Sequence, residues 1–354
     1  MLDAPALPRR ILLLKPCCIG DVVLTTPLLA ALRRAYPEAH ITWAVSDYSG
    51  PTIAGHPALD AILLTGPAAN PARSFTGLWR LARQIRTGHF DMAVVPDRSP
   101  LLGLALWLSG VPRRAGLDSA GRGLFYTIRV PVDPAEPRHE AEIYLDIARA
   151  LGLDVRDCWA NAPASEAQIA ALPIPPEARP GLVVVHVGGG RNLGMIMAEK
   201  RPPIPLLAEV ALRAATHTGG RIAILGGPED QERAEALHKS LTEAYHHEPI
   251  LLVGLLDFPA IAALGAVAAL AIGPDTGLLH LMAAAGAKTV MIFGPSDPRR
   301  YAPFVPPERA VAAWRPYPLP PGGVASGPPP GWSWEEHGVA AETVWEMAKS
   351  LLQD

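Results

Sequence analysis

Cysteine is scarce, with three in 354 residues and two of them adjacent at Cys17 and Cys18. Three thiols supply neither a disulfide framework nor the spacing of a zinc site, and a reducing cytoplasm is the compartment that suits them. Long apolar runs are also missing. Lys15 and Asp21 interrupt the first one too early for a signal peptide. The uncharged stretch 258–274 contains Pro259 and Gly265 and falls short of the roughly 20 apolar residues a spanning helix needs. There is no basic excess, and a net charge of -3 argues against a dedicated nucleic-acid binder. Residues 1–162 hold 17 Lys and Arg against 15 Asp and Glu, whereas 163–354 hold 14 against 19, so the front half is the more basic. No Walker loop and no Gly-x-Gly-x-x-Gly fingerprint with its later acidic residue occurs, which disfavours a dehydrogenase.

What is present is apolar residue in short runs. Hydrophobic residues make up 49% of the chain and charged ones 18%, which excludes a largely disordered polymer and points to buried strands. The length suits two domains, since single cores rarely grow past about 250 to 300 residues. Residues 11–15, 41–45, 61–64 and 91–95 read as strands. They alternate with helices at 22–36 (stopped by Pro37), 75–86, 101–108 and 140–151. A second series follows at 182–187, 221–225, 250–253, 268–272 and 289–293. This is the α/β pattern of two doubly wound, Rossmann-like domains, at 1–162 and 182–333. The Pro-rich segment 163–181 reads as a linker, 305–331 as an irregular excursion, and 334–354 as a closing amphipathic helix.

Polar residues gather after the strands. In Gly273-Pro-Asp-Thr-Gly-Leu-Leu-His280 a strand turns sharply into a helix, where free N–H groups and the positive dipole end favour an anionic ligand. Asp275, Thr276, Gly277, Leu278 and His280 are the candidates, although Asp275 or Thr276 could serve only as a helix cap. Gly294-Pro-Ser-Asp-Pro298 follows the next strand. His186-Val-Gly-Gly-Gly-Arg191 offers Gly188 and Gly189 as a phosphate cradle. Lys200 and Arg201 are placed to neutralise a diphosphate or to form a solvated basic pair. Acidic residues of 226–232, Asp230 among them, could bond a ribose or adenine or simply start a helix. On the first domain Gly20 allows close approach to Asp21, which is either a functional carboxylate or an N-cap.

The opening Leu13-Leu-Lys-Pro-Cys-Cys-Ile-Gly-Asp-Val-Val-Leu-Thr-Thr-Pro27, with 273–280 and 294–298, resembles glycosyltransferase family 9, the ADP-heptose:lipopolysaccharide heptosyltransferases. Asp91-Met-Ala-Val-Val-Pro-Asp97 and Arg113-Arg-Ala-Gly116 are similar to weaker family features, so the resemblance spans nearly the whole chain. It implies a GT-B fold, two Rossmann-like domains facing a central cleft, with acceptor on the first and ADP-sugar on the second. It puts the general base at Asp21, a phosphate contact at Lys200, donor contacts at Asp275, Thr276 and Gly277, and adenine contacts near Leu256 and Asp230. Asp97 is the second acidic residue on the acceptor side. The chain departs from the family at Cys17 and Cys18, in a longer 190–200 loop, and in lacking a Cys-containing segment within 305–331.

The resulting expectation is an inverting, metal-independent heptosyl transfer from an ADP-sugar to a lipid-linked glycan, with no cofactor and no Asp-x-Asp motif. The alternatives are a sugar-nucleotide epimerase or a non-catalytic sugar-nucleotide-binding protein. The enzyme is expected in the cytoplasm, with peripheral contact at the inner membrane. Trp79, Arg80, Arg83 and Arg86 could make that contact, and an ordinary amphipathic helix accounts for them more simply.

Overall fold

The structure, a computed structural model, describes residues 7–192, 195–244, 246–319 and 328–353. The chain divides into two compact units, Met1–Cys158 and Trp159–Asp354. In the first, the elements are β1 (Arg10–Leu14), α1 (Ile19–Val23), α2 (Thr26–Ala35), β2 (His40–Val45), β3 (Ala61–Leu64), α3 (Phe75–Thr87), β4 (Met92–Val95), α4 (Pro100–Ser109), β5 (Arg113–Ser119), β6 (Ile128–Val132) and α5 (Glu140–Ala150). The strands form one parallel sheet in the order β3-β2-β1-β4-β5-β6. Ile11 to Leu14 are completely buried, as expected of a central strand covered on both faces. Leu12, Leu14, Ala93 and Val95 pack on one side against Leu81 and Ile85 of α3 and Leu102 and Leu106 of α4.

The second unit begins with α6 (Glu166–Ala170), β7 (Val183–His186), a short antiparallel ribbon of β8 (Arg191–Asn192) and β9 (Met195–Ile196), α7 (Ile204–Thr218), β10 (Ile222–Leu225) and α8 (Gln231–Thr242). It continues with β11 (Ile250–Leu251), α9 (Phe258–Val267), β12 (Leu270–Pro274), α10 (Gly277–Ala285), β13 (Thr289–Ile292), α11 (Pro298–Tyr301), β14 (Ala310–Ala313), α12 (Trp334–His337) and α13 (Ala341–Gln353). Its sheet, β11-β10-β7-β12-β13-β14, is again parallel throughout and repeats the order of the first. Both follow the doubly wound order, in which ligands bind beyond the strand carboxyl ends where the strand order reverses. Among the described residues no helix is long and apolar enough to cross a membrane.

The structure differs from the sequence reading at several points. The helix expected over 22–36 is two helices, because Pro27 takes the first turn of a new one and residues 24 and 25 lie between them. The segment 163–181 is no free linker: Leu172, Ile174 and Ala178 are buried, and the preceding Ala162 donates its N–H to Ala284 O at 3.1 Å. β5 was not anticipated because Arg113, Arg114 and Asp118 break its apolar run. β14 lies inside the supposed excursion, where it closes the sheet against β13; residues 320–327 of that excursion lie outside the described ones. The closing helix is interrupted at Gly338. Cys17 and Cys18 are joined as a disulfide, contrary to the reading of unpaired thiols. A bond between neighbours ties no elements together, and Cys158 stays free and buried.

Candidate functional site

In the first unit, β1 delivers Lys15 to the carboxyl end of the sheet and the next turn starts α1. Cys18, not Asp21, is the N-cap of α1, and no side chain makes the cap bond. Asp21 sits within the first turn, so its carboxylate is not spent on capping. One of its oxygens accepts from Tyr144 Oη at 3.3 Å, and the other lies 3.6 Å from Lys15 Nζ. The side chain is 34% exposed. Asp97, after β4, accepts from Lys15 Nζ at 3.2 Å and from the Ser99 N–H at 2.8 Å. Arg98 makes a two-pronged pair with buried Glu140 at 2.8 and 3.0 Å.

Lys15 is the residue that the sequence reading overlooked. Its side chain is 6% exposed, and burial by itself would lower its pKa; Asp21, then Asp97 and Glu140 outweigh that and raise it. The ammonium also lies 5.3 Å from the Tyr144 ring centre, within cation–π range. Burial first, and then the Asp21 charge, push the Tyr144 phenol well above its ordinary value, so it stays protonated and donates. A lysine directly after a buried apolar strand signals such a cluster, since a buried ammonium needs carboxylates around it.

In the second unit, Thr276 is the N-cap of α10 and accepts from Leu279 N–H at 3.4 Å. The capping reading therefore holds for Thr276 and fails for Asp275. The Asp275 carboxylate accepts from Lys200 Nζ at 2.6 Å and lies 3.9 Å from His280 Nε2. Burial would raise the Asp275 carboxyl, but Lys200 and then His280 overcome it and hold it well below the usual carboxylate range. An ammonium has three donors, so Lys200 keeps two beyond its bond to Asp275. At the start of α10, Gly277 and Leu278 belong to the first turn, whose N–H groups have no intrahelical acceptor.

The glycine loop closes against these residues. Gly189 has φ of 107°, and a Cβ there would lie 2.3 Å from Thr276 Cγ2, so only glycine fits. A Cβ on Gly188 would lie 1.9 Å from Asp230 Oδ2. Asp230 is buried, accepts from Gly227 N–H at 2.9 Å and stands 3.7 Å from Arg201, which itself donates to Gly189 O at 2.8 Å. Arg201 is thus a brace within the loop and not a solvated partner of Lys200. Leu256 is half-buried beyond β11, near the Gly226–Asp230 turn through the Gly254 N–H to Gly226 O bond of 3.0 Å. Trp334 was not singled out from sequence; its indole N–H donates to Glu199 O at 2.9 Å and fixes the turn that carries Lys200. The 294–298 turn backs the same place, with Gly294 against Glu199 O and the Trp332 and Trp334 rings. In the 190–200 loop, residues 193 and 194 lie outside the described ones.

Comparison with known proteins decides the family. The profile of glycosyltransferase family 9 (heptosyltransferase) matches residues 78–318. The chain is 30% identical over 308 residues to lipopolysaccharide heptosyltransferase 1 of Pseudomonas aeruginosa, covering 82% of this chain and 79% of that one. It belongs to glycosyltransferase family 9. Its fold matches the glycosyl transferase family 9 structure from Veillonella parvula, with a TM-score of 0.75, 22% identity and coverage of 98% and 97%. It also matches the E. coli heptosyltransferase WaaC with ADP, with a TM-score of 0.69, 18% identity and coverage of 97% and 99%. The two sheets are therefore the two Rossmann-like domains of a GT-B glycosyltransferase.

In this glycosyltransferase the Lys200–Asp275 pair makes a measurable prediction. Asp275→Asn leaves a buried ammonium without its counterion, and removing one partner of a buried pair costs about 3–5 kcal/mol. The variant is expected to melt earlier at neutral pH. Since folding lowers the Asp275 pKa, the pair's contribution is present above the unfolded value and is lost as pH falls through the folded one. Melting curves should show the gap between wild type and variant closing below about pH 4. A gap that stays constant into acid would contradict the pairing.

Proposed function

We propose that the chain transfers a heptose from an ADP-sugar to a hydroxyl of a lipopolysaccharide core precursor, with inversion at the anomeric carbon and Asp21 as general base. The observation that carries this reading is the placement of the Asp21 carboxylate. It is held by Tyr144 and Lys15, free of capping duty and a third exposed, whereas Asp97 is occupied by Ser99 N–H and Lys15. The donor assignment is supported by relatives named as lipopolysaccharide heptosyltransferases and by the WaaC structure with ADP.

The acceptor hydroxyl attacks the anomeric carbon as its proton passes to Asp21. The bond between that carbon and the diphosphate oxygen breaks with its electron pair, and ADP leaves. Negative charge then grows on the diphosphate, where the two remaining Lys200 donors, the first-turn amides at Gly277 and Leu278, and the backbone at Gly188 and Gly189 stabilise it. Asp275 and His280 hold Lys200 and the donor sugar in register, and Leu256 with the Asp230 turn takes the adenine. These groups supply the positive potential without a metal ion or cofactor. The acceptor is lipid-linked, which places the enzyme in the cytoplasm at the inner face of the inner membrane.

Asp21→Asn tests the base. Asparagine keeps an acceptor for Tyr144, and Lys15 keeps Asp97, so the fold should lose at most about 1 kcal/mol. Turnover should fall roughly 10²- to 10⁴-fold while ADP affinity stays near wild type. Turnover close to wild type would transfer the role to Asp97. Calorimetry should rank ADP above UDP and GDP, and the reverse order would reject the donor. Activity should also survive EDTA; loss that magnesium restores would overturn metal independence.

A further inference from the structure

We infer that the outer face of α3, with Arg73 beside it, is a docking surface for an anionic lipid bilayer. The helix buries Leu81, Ala82 and Ile85 against the first domain's core, which accounts for its apolar stripe. It does not account for the opposite side, where Phe75 and Trp79 are 76% and 48% exposed and their rings meet edge to face at 6.1 Å. Arg80 and Arg83 lie on the same outer face. Together with Arg73 they have no side-chain hydrogen bond or ion pair among the described residues. Arg86 is engaged, donating to Leu108 O and Ser109 O at the end of α4, which brings exposed Trp107 alongside.

Charge complementarity selects the occupant. From residue 61 to residue 90 the chain has four arginines and neither Asp nor Glu, although its net charge is -3. A protein partner rich in acid would satisfy the arginines but leave Phe75 and Trp79 without an apolar counterpart. A bilayer with anionic headgroups meets both demands, since aromatic rings settle at the headgroup boundary and arginines pair with phosphate. A groove of about 890 Å³ along the helix is lined by Trp79, Arg80 and Arg83 among others.

The loop that leads into α3 also reaches the strand-end cluster that holds the proposed base. Residues 65–74 join the carboxyl end of β3 to α3, and Asn70 in this loop donates to Ser99 Oγ at 2.9 Å, while the Ser99 N–H holds Asp97. A bilayer on α3 would present lipid-linked acceptors to the rim that carries Asp21. This choice of partner rests on the reading of a lipid-linked acceptor, but its test does not require turnover.

The test is sedimentation of the full chain with vesicles of phosphatidylglycerol and phosphatidylethanolamine, and with vesicles of phosphatidylcholine alone. Binding is expected to the anionic vesicles only, weakening as salt rises from about 0.1 M to about 1 M. Each arginine near an anionic surface contributes about fivefold, so Arg73→Gln/Arg80→Gln/Arg83→Gln should weaken partitioning roughly a hundredfold. Phe75→Ser/Trp79→Ser should remove the binding that survives high salt. Both variants alter exposed positions and should keep the wild-type melting temperature and turnover on a delipidated acceptor. No binding of wild type to anionic vesicles, or equal binding by the variants, would overturn the proposal, as would binding to polyanionic RNA without binding to vesicles. Vesicle binding that follows this pattern in a protein without heptosyl transfer would reject the proposed reaction and leave the surface standing.

Discussion

A parallel strand buried on both faces has no polar side, so every charged residue must wait for the strand to end. That constraint organises both domains. β1 from Ile11 onward, β4, β7 up to His186 and β12 are apolar, and the polar groups that follow lie at or just past their carboxyl ends, as Lys15, Asp97, His186 with the glycine loop, and Asp275. Because β1, β4 and β12 are each followed directly by a helix, the groups at their ends arrive together with helix N-termini. Chemistry is therefore concentrated at one rim of each sheet by the same packing that builds the core.

Concentrating charge there creates a cost that each domain meets in the same way. An ammonium brought to a buried strand end is stable only among carboxylates. Lys15 has Asp21 and Asp97, and Lys200 has Asp275. The two differ in what remains available. Lys15 is enclosed, and the most exposed member of its cluster is the Asp21 carboxylate, at 34% against 22% for Asp97. In the other cluster Asp275 is enclosed and Lys200 keeps unspent donors. One rim thus presents a carboxylate and the other an ammonium, the pairing on which the proposed displacement of a diphosphate by a hydroxyl rests.

How much of this was legible in sequence depends on whether the signal was local. Apolar runs revealed nine of the strands, because the central ones are buried on both faces and keep an uninterrupted pattern, while the edge strands β3 and β11 are short runs of Ala, Ile and Leu. β5, β6, β14 and the two-residue β8 and β9 escaped, since Arg113, Arg114, Arg129 and Pro131 break the apolar runs of β5 and β6, and a strand of two to four residues has no pattern of its own. Asp21, Asp275 and Thr276 were visible because each sits at a strand-to-helix turn. Lys15 was overlooked, as its partners are 6 and 82 residues away and nothing local declares them. Trp334 was hidden for the same reason, reaching Glu199 across 135 residues. The bond of Arg201 to Gly189 O was hidden because a basic pair looks the same in sequence whether it faces solvent or braces a loop.

The contrast between Asp21 and Asp97 shows why geometry separates residues that chemistry alone cannot. Both are carboxylates at strand ends, and both face the same lysine. Asp97 accepts a backbone N–H two residues on, a local turn that commits one oxygen, while Lys15 occupies the other at hydrogen-bond distance. Taking up a proton there would break an ion pair. Asp21 receives a single long bond from a phenol that remains protonated, and its contact with Lys15 is 3.6 Å, beyond a normal hydrogen bond. Protonating Asp21 leaves Lys15 paired with Asp97, so the cluster can accept a proton without exposing a buried charge. Two carboxylates around one lysine are therefore not redundant: in the proposed mechanism Asp97 keeps the lysine satisfied while Asp21 takes the proton.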